Sequence, residues 1–243
     1  MFKKVQTRRV YVEIVDQIQQ LIKKNILKPG DKLPPERVLA DKLGVSRPPL
    51  REALAALDIL GVIETRGGMG NVVRDSLDSA SYKQRFKELE QERSPFELLE
   101  ARKAIETEIA RLAAEKATKE DIAAIQESLA KMESTISDIP KSKEVDRQFH
   151  IRFIEVDRQF HIDVAKAAHN DILFSTMSEL ADGFKQKLWV KLKEKCWSIP
   201  RHPQKYLEEH TQILNAIANR HSRAASERMY NHLAEVEKDL LSE

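Results

Sequence analysis

Apolar residues recur at three- and four-residue spacing near the start of the chain, where Val12, Val15, Ile18 and Ile22 predict a helix over about 11–24. Downstream, Val38, Leu39, Leu43, Val45, Leu50 and Leu54 predict two short helices locked around a tight turn at Gly44. Residues 61–73 then hold two short β-prone runs around a glycine-rich turn, the pattern of a small hairpin. From residue 96 the period is helical almost throughout, with segments over about 96–116, 119–135, 145–168, 171–194, 203–219 and 221–242. Ser94-Pro-Phe-Glu97 is a capping box with proline at the first helical position, a firm helix start. The predicted fold is mainly α: an N-terminal winged helix-turn-helix with a small β-hairpin wing, then an all-α antiparallel helical bundle. The expected bounds are 1–75 for the first domain, 76–94 for a partly helical linker and 95–243 for the second.

The second short helix carries chemistry at its start. Ser46 is a natural N-cap, and Pro48 and Pro49 fall in the first turn, where a missing N–H costs nothing. Arg47 and Arg51 then stand four residues apart on one face, the layout of a recognition helix in the DNA major groove. Arg66 sits at the tip of the hairpin, which can reach a neighbouring groove or the phosphate backbone. A lone arginine is ordinarily a solvated surface charge; the spacing of this pair makes it more than that. Arg37 suits phosphate, and Glu36 and Glu52 read as capping or salt-bridge partners.

Charge sharpens this picture. The whole chain carries 41 basic and 39 acidic side chains, but residues 1–75 hold 14 and 9, leaving an acidic excess in the rest. The positive bias lies where phosphate neutralisation needs it. Six of the seven glycines lie at or before Gly70, separating a turn-rich half from a helical one. The length suffices for two cores. A single cysteine, Cys196, is expected as a small apolar residue in a reducing cytosol, and no signal peptide or membrane-spanning run is read.

Polar residues interrupt the apolar stripes of the helical half. Ile154, Asp157, His161, Val164 and Ala168 share one stripe; Tyr206, His210, Ile213 and Ile217 a second; Ala225, Met229, His232 and Val236 a third. Three histidines and one aspartate thus point inward from three helices. Each histidine alone reads as a hydrogen-bonded core residue. Together, Asp157, His161, His210 and His232 form an N₃O set for a divalent ion, zinc first and nickel, manganese or iron(II) as alternatives. Arg102 lies on the stripe of Leu98, Ile105, Ile109 and Leu112, where a buried guanidinium needs an anion. Glu106 is one candidate partner, and the carboxylate of a bound metabolite is the other. Trp189 and Trp197 are candidates to line a pocket or to anchor the core. The segment Glu-Val-Asp-Arg-Gln-Phe-His-Ile occurs twice, at 144–151 and 155–162, making Asp146 and His150 rival ligands on geometry alone.

Residues 8–73 resemble the N-terminal domain of GntR-family bacterial repressors. The marks are Pro29-Gly-Asp-Lys-Leu-Pro34, Glu36-Arg37, Val45-Ser-Arg47, Pro49-Leu-Arg-Glu-Ala-Leu54 and the Gly-x-Gly of Gly68 and Gly70. The resemblance implies that Arg37, Ser46, Arg47, Arg51 and wing glycines, here Gly67 and Gly68, contact DNA. Pro48 stands where relatives often carry a polar side chain. Residues 96–236 resemble the FCD effector domain of the FadR-type branch, through Leu99-Glu-Ala-Arg-Lys-Ala-Ile-Glu106, Leu112-Ala-Ala114, Asp157-Arg-Gln-Phe-His161, Ala167-Ala-His-Asn170, His210 and Ala225 through Leu233. Only the second copy of the repeat runs on into Ala-Ala-His-Asn, which assigns the metal to Asp157 and His161. The resemblance also implies a small organic acid effector near Arg102 and a homodimer reading a short inverted repeat of double-stranded DNA. The expected function is a ligand-controlled transcription regulator, with repression relieved by ligand as the expected direction. A metalloenzyme with a DNA-binding appendage is the rival, for which no general base with a defined position is found. An architectural DNA binder is a third reading, opposed by the polar interior stripes.

Overall fold

The computed structural model describes residues 9–66, 70–74, 79–137, 147–197 and 202–242, in two compact units, 1–92 and 93–243. The first unit opens with α1 (Val10–Lys23), whose buried face is Tyr11, Val12, Ile14, Val15 and Ile18. It packs on α3 (Arg47–Ile59), and α3 also packs on α2 (Glu36–Leu43). Gly44 ends α2 in the left-handed region (φ 66°, ψ 33°), the conformation that turns the chain into α3 at no steric cost. Val38, expected among the locking contacts, is 42% exposed. The inward arc of α2 is Leu39 and Ala40, and Val38 lies off that arc. Ser46 holds the N-cap position of α3 but makes no capping bond. The cause is local: its natural donors are the N–H groups of the second and third helical residues, and those are Pro48 and Pro49.

The wing pairs β1 (Ile63–Arg66) with β2 (Gly70–Val73), antiparallel, from Ile63 opposite Val73 to Arg66 opposite Gly70. The other edge of β2 is also occupied. Gly30 and Leu33 donate to the carbonyls of Val73 and Asn71 at 2.9 and 2.8 Å, and Val73 donates back to Asp31 at 2.9 Å. Gly30 has φ 87°, which explains the Pro-Gly-Asp turn that brings this segment in. Helix α4 (Ser79–Leu89) comes from the stretch expected as linker. It belongs to the first unit: the Tyr11 hydroxyl donates to the Leu89 carbonyl at 2.7 Å, and the Arg85 guanidinium caps the Ile59 carbonyl.

The second unit is helical: α5 (Pro95–Lys116), α6 (Lys119–Ser137), α7 (Arg147–Ala167), α8 (Asp171–Ala181), a 3₁₀ turn (Asp182–Lys185), α9 (Lys187–Trp197), α10 (His202–Ala218) and α11 (Ser222–Leu240). Ser94 caps α5 by accepting from the Glu97 N–H at 3.2 Å, as its sequence box predicts. Asn170 caps α8 through the N–H groups of Ile172 and Leu173. Helix α5 packs against α11 and α7 and buries Leu98, Leu99, Arg102, Glu106, Ile109, Ala110, Ala113 and Ala114. The single helix expected over 171–194 is two helices. They are broken where Gly183 packs against Leu98, so closely that an added Cβ would stand 2.7 Å from Leu98 Cδ2. Among the described residues no helix is long and apolar enough to cross a membrane.

Candidate functional site

On the DNA-facing motif, Arg37 and Ser46 are exposed and Arg47 is half-buried. Because Ser46 makes no cap, its hydroxyl stays available to solvent or to a phosphate. Arg51 departs from expectation. It is 4% exposed, and its Nη2 stands 2.6 Å from Glu36 Oε2, whose side chain is 11% exposed. One turn deeper into the α2–α3 contact than Arg47, it ties the two helices together rather than projecting from them. The same spacing that puts Arg47 and Arg51 on one face cannot tell which of them lies above the neighbouring helix. Gly67 and Gly68 lie outside the described residues, and for Arg66 only the backbone, at the end of β1, is described.

In the helical unit the four predicted ligands converge. Asp157 and His161 come from α7, His210 from α10 and His232 from α11, at 5%, 1%, 0% and 2% exposure. Their ligand atoms lie within 4.8 Å of one another. His210 Nε2 is 3.3 Å from His161 Nε2 and 3.4 Å from Asp157 Oδ1, and His161 Nε2 is 4.0 Å from the same oxygen. Donors bound at about 2.0–2.1 Å around a tetrahedral ion stand about 3.3 Å apart. His150, from the first copy of the repeat, is buried on the same helix but is not in this cluster, and Asp146 lies outside the described residues.

The far side of each ring fixes its tautomer. His161 Nδ1 is 2.5 Å from Glu106 Oε2, His210 Nδ1 is 2.6 Å from the Tyr206 carbonyl oxygen, and His232 Nδ1 is 2.7 Å from Glu209 Oε2. With Nδ1 of His210 and His232 bonded to an oxygen and that of His161 set against Glu106, the Nε2 side of each ring is turned toward the same point. Three ring nitrogens and a carboxylate then face one point, an arrangement that a cation satisfies. Electrostatics agree. Burial lowers His210 to about 4 and His232 well below the usual imidazole range, keeping both rings neutral. Burial alone would raise Asp157, but the positive charges around it, Lys193 and Arg102 among them, hold it down, so it remains a carboxylate. Burial likewise works against Glu106, yet Arg102 and His161 bring it to about 2. Glu209 goes the other way, up to about 7, because it is desolvated.

Arg102 stands beside this centre, 1% exposed, with Nε 2.5 Å from Glu106 Oε1 and Cζ 4.1 Å from the centre of the Phe184 ring. Glu106 thus joins Arg102 to His161. The Nη2 of Arg102 is buried and makes no hydrogen bond among the described residues. Lys193, 2% exposed, lies 5.5 Å from the Trp189 ring, and Arg102 Cζ lies 5.7 Å from it. Two buried cations therefore share one indole. Sequence reading missed Lys193, Glu209 and Phe184. Nothing in the sequence distinguishes Lys193 from the other lysines of this helix. Phe184 had a signal in the glycine before it.

A family model described as Bacterial regulatory proteins, gntR family, matches residues 10–73, and one described as FCD domain matches residues 97–235. The Uxu operon transcriptional regulator of Escherichia coli (strain K12) is 34% identical over 237 residues, covering 96% of this chain and 88% of that protein. The HTH-type transcriptional regulator LutR of Bacillus subtilis (strain 168) is 33% identical over 223 residues, covering 91% and 96%. The Exu regulon transcriptional regulator of Escherichia coli (strain K12) is 33% identical over 251 residues, covering 97% and 86%.

Proposed function

From a chain that belongs to the GntR family, with an FCD effector domain, and that is a DNA-binding transcriptional regulator, we propose a metal-assisted sensor of a small carboxylate that releases DNA when the acid binds. The observation that carries this reading is the buried Nη2 of Arg102, left without a partner while its Nε is held by Glu106. A guanidinium at 1% exposure is stable only if its remaining N–H groups meet an acceptor, and a carboxylate matches that geometry. Asp157, His161, His210 and His232 would hold the divalent ion, zinc first among the candidates. The ion supplies a Lewis-acidic point for an oxygen of the effector. Phe184 and Trp189 exclude water around the guanidinium, and Lys193 adds a second positive charge. Glu106 and Glu209 keep His161 and His232 turned toward the centre.

On the DNA side, Arg47 reads base edges or phosphate, Arg37 and Ser46 grip phosphate, and Arg66, Gly67 and Gly68 serve the wing. Arg51 serves by holding α3 on α2. Two copies of the chain, joined through the helical units, would place two recognition helices on successive half-sites of an inverted repeat. Repression relieved by the effector follows if binding shifts that placement. Glu209, the one carboxyl raised toward neutrality in this cluster, faces Nδ1 of His232 rather than the Nε2 side, which is the wrong side for a general base acting on a metal-bound substrate.

The test has two arms. Elemental analysis of purified protein should find one divalent ion per chain, and His210→Ala should abolish it. Calorimetric titration of metal-loaded protein with a panel of small hydroxy and keto acids should find a binder whose affinity Arg102→Met removes. A metal-free wild type sinks the metal centre; binding that survives in Arg102→Met sinks the carboxylate grip.

A further inference from the structure

Arg93, the first residue of the helical unit, is held at three points. Its backbone N–H donates to Gln186 Oε1 at 2.9 Å. Its guanidinium donates to the Glu179 carbonyl at 3.3 Å and to the Glu179 carboxylate at 2.7 Å. Glu179 lies on α8, and Gln186 directly follows the 3₁₀ turn, so the two anchors flank Asp182–Lys185. The Glu179 ion pair is solvent-exposed and contributes little. The hydrogen bond from the Arg93 backbone N–H to Gln186 Oε1 is the specific tie.

That turn also carries Phe184, whose ring lies 4.1 Å from Arg102 Cζ. Arg102 is joined to Glu106, and Glu106 to the imidazole of His161. Contacts therefore run unbroken from a candidate metal ligand, through Phe184, to the residue at which the chain enters the helical unit. Gly183 seats the turn directly on the Leu98 side chain, which a methyl group there would have to displace. Packed elements of this kind move between discrete positions rather than deforming continuously. Ser94, next in sequence, caps α5, so a displacement of Arg93 is taken up on its N-terminal side.

We infer that the turn Asp182–Lys185 is the coupling element of this regulator, and that the Gln186–Arg93 hydrogen bond passes the state of the buried centre to the chain leading to the DNA-binding unit. The inference rests on the metal reading above. Gln186 and Arg93 are positioning residues: neither touches the centre, yet both set its influence on the entry point. A bond of ordinary net strength, made in one state and lost in the other, changes amide protection about fivefold.

The experiment uses the full chain and zinc alone as probe. Zinc affinity is measured by competition with a chromophoric chelator, and exchange of the Arg93 amide by residue-resolved hydrogen exchange, with and without zinc. In wild type, zinc should change Arg93 protection about fivefold or more. In Gln186→Leu, zinc affinity should stay within about twofold of wild type while the Arg93 response disappears; Gln186→Glu, which keeps an acceptor, should retain it. If zinc binds and Arg93 exchange does not respond in wild type, the coupling is wrong. It is equally wrong if Gln186→Leu responds as wild type does. Failure of zinc to bind wild type is a separate result, which overturns the metal reading and the inference with it. Should Gln186→Leu fold poorly, the wild-type and Gln186→Glu measurements still decide.

Discussion

Replacing Glu106 by glutamine probes the joint on which the helical unit turns. The side chain is 1% exposed; one oxygen accepts from Arg102 Nε and the other faces His161 Nδ1, each at 2.5 Å. A carboxylate accepts on both sides; an amide accepts on one and donates on the other. Glu106→Gln therefore sets an N–H group against one of two buried donors and strips Arg102 of its counter-charge. Breaking one partner of a buried ion pair costs about 3–5 kcal/mol. For a unit of this size, each kcal/mol lowers the melting temperature by about 2–4 °C, so a fall of roughly 10 °C is expected by calorimetry in chelator. Zinc affinity should drop about 10- to 100-fold, because His161 loses the group that orients it. The double variant Arg102→Met/Glu106→Gln removes the orphaned charge and lets the amide oxygen accept from His161. It should recover most of the lost stability, with a coupling of about 2 kcal/mol or more in the cycle. An unchanged melting temperature in Glu106→Gln, or a double variant worse than the sum of the singles, would refute the reasoning.

Further outcomes follow from other parts of the molecule. In a mobility-shift assay, Arg47→Ala should lose sequence-specific binding with normal folding. Arg51→Ala should instead destabilise the first unit by about 3 kcal/mol, since it leaves the Glu36 carboxylate without its buried partner; full stability with lost binding would return Arg51 to direct contact. In metal-free protein, His210 sits at about 4 when folded, against an ordinary value of 6.5. Its contribution is complete above pH 6.5 and is lost as pH falls toward 4, on the order of 3 kcal/mol in total. Urea midpoints that do not fall across that window would contradict a neutral buried ring. Gly183→Ala must push Leu98 aside and should cost about 1–3 kcal/mol, measured by thermal unfolding of the full chain.

The helix-turn-helix was legible because its turn depends on local chemistry: a glycine in the left-handed region, prolines in a first helical turn and a short apolar period. The convergence of Asp157, His161, His210 and His232 was legible because four polar residues broke apolar stripes, and a stripe states which way a side chain points. What escaped detection depends on distant contacts. The break falls at Gly183, a poor helix former, whose close approach to Leu98 is a tertiary contact that the helical period does not carry. Arg51 and Glu36 are brought together by the crossing of α2 and α3, which spacing on α3 cannot reveal. The end of α4 is tied to the first unit by the Tyr11 hydroxyl, 78 residues away in sequence. Lys193 and Glu209 owe their roles to burial beside partners on other helices, and neither carries a local mark.

The two-sided pairing of β2 has a mechanical consequence. A strand bonded along one edge can peel; one bonded to β1 on one side and to residues 30–33 on the other must break both rows to move. Residues 30–33 lead directly into α2, and α2 is clamped to α3 by Glu36 and Arg51. Wing and recognition helix are thus struck from one piece, like the two prongs of a stamp.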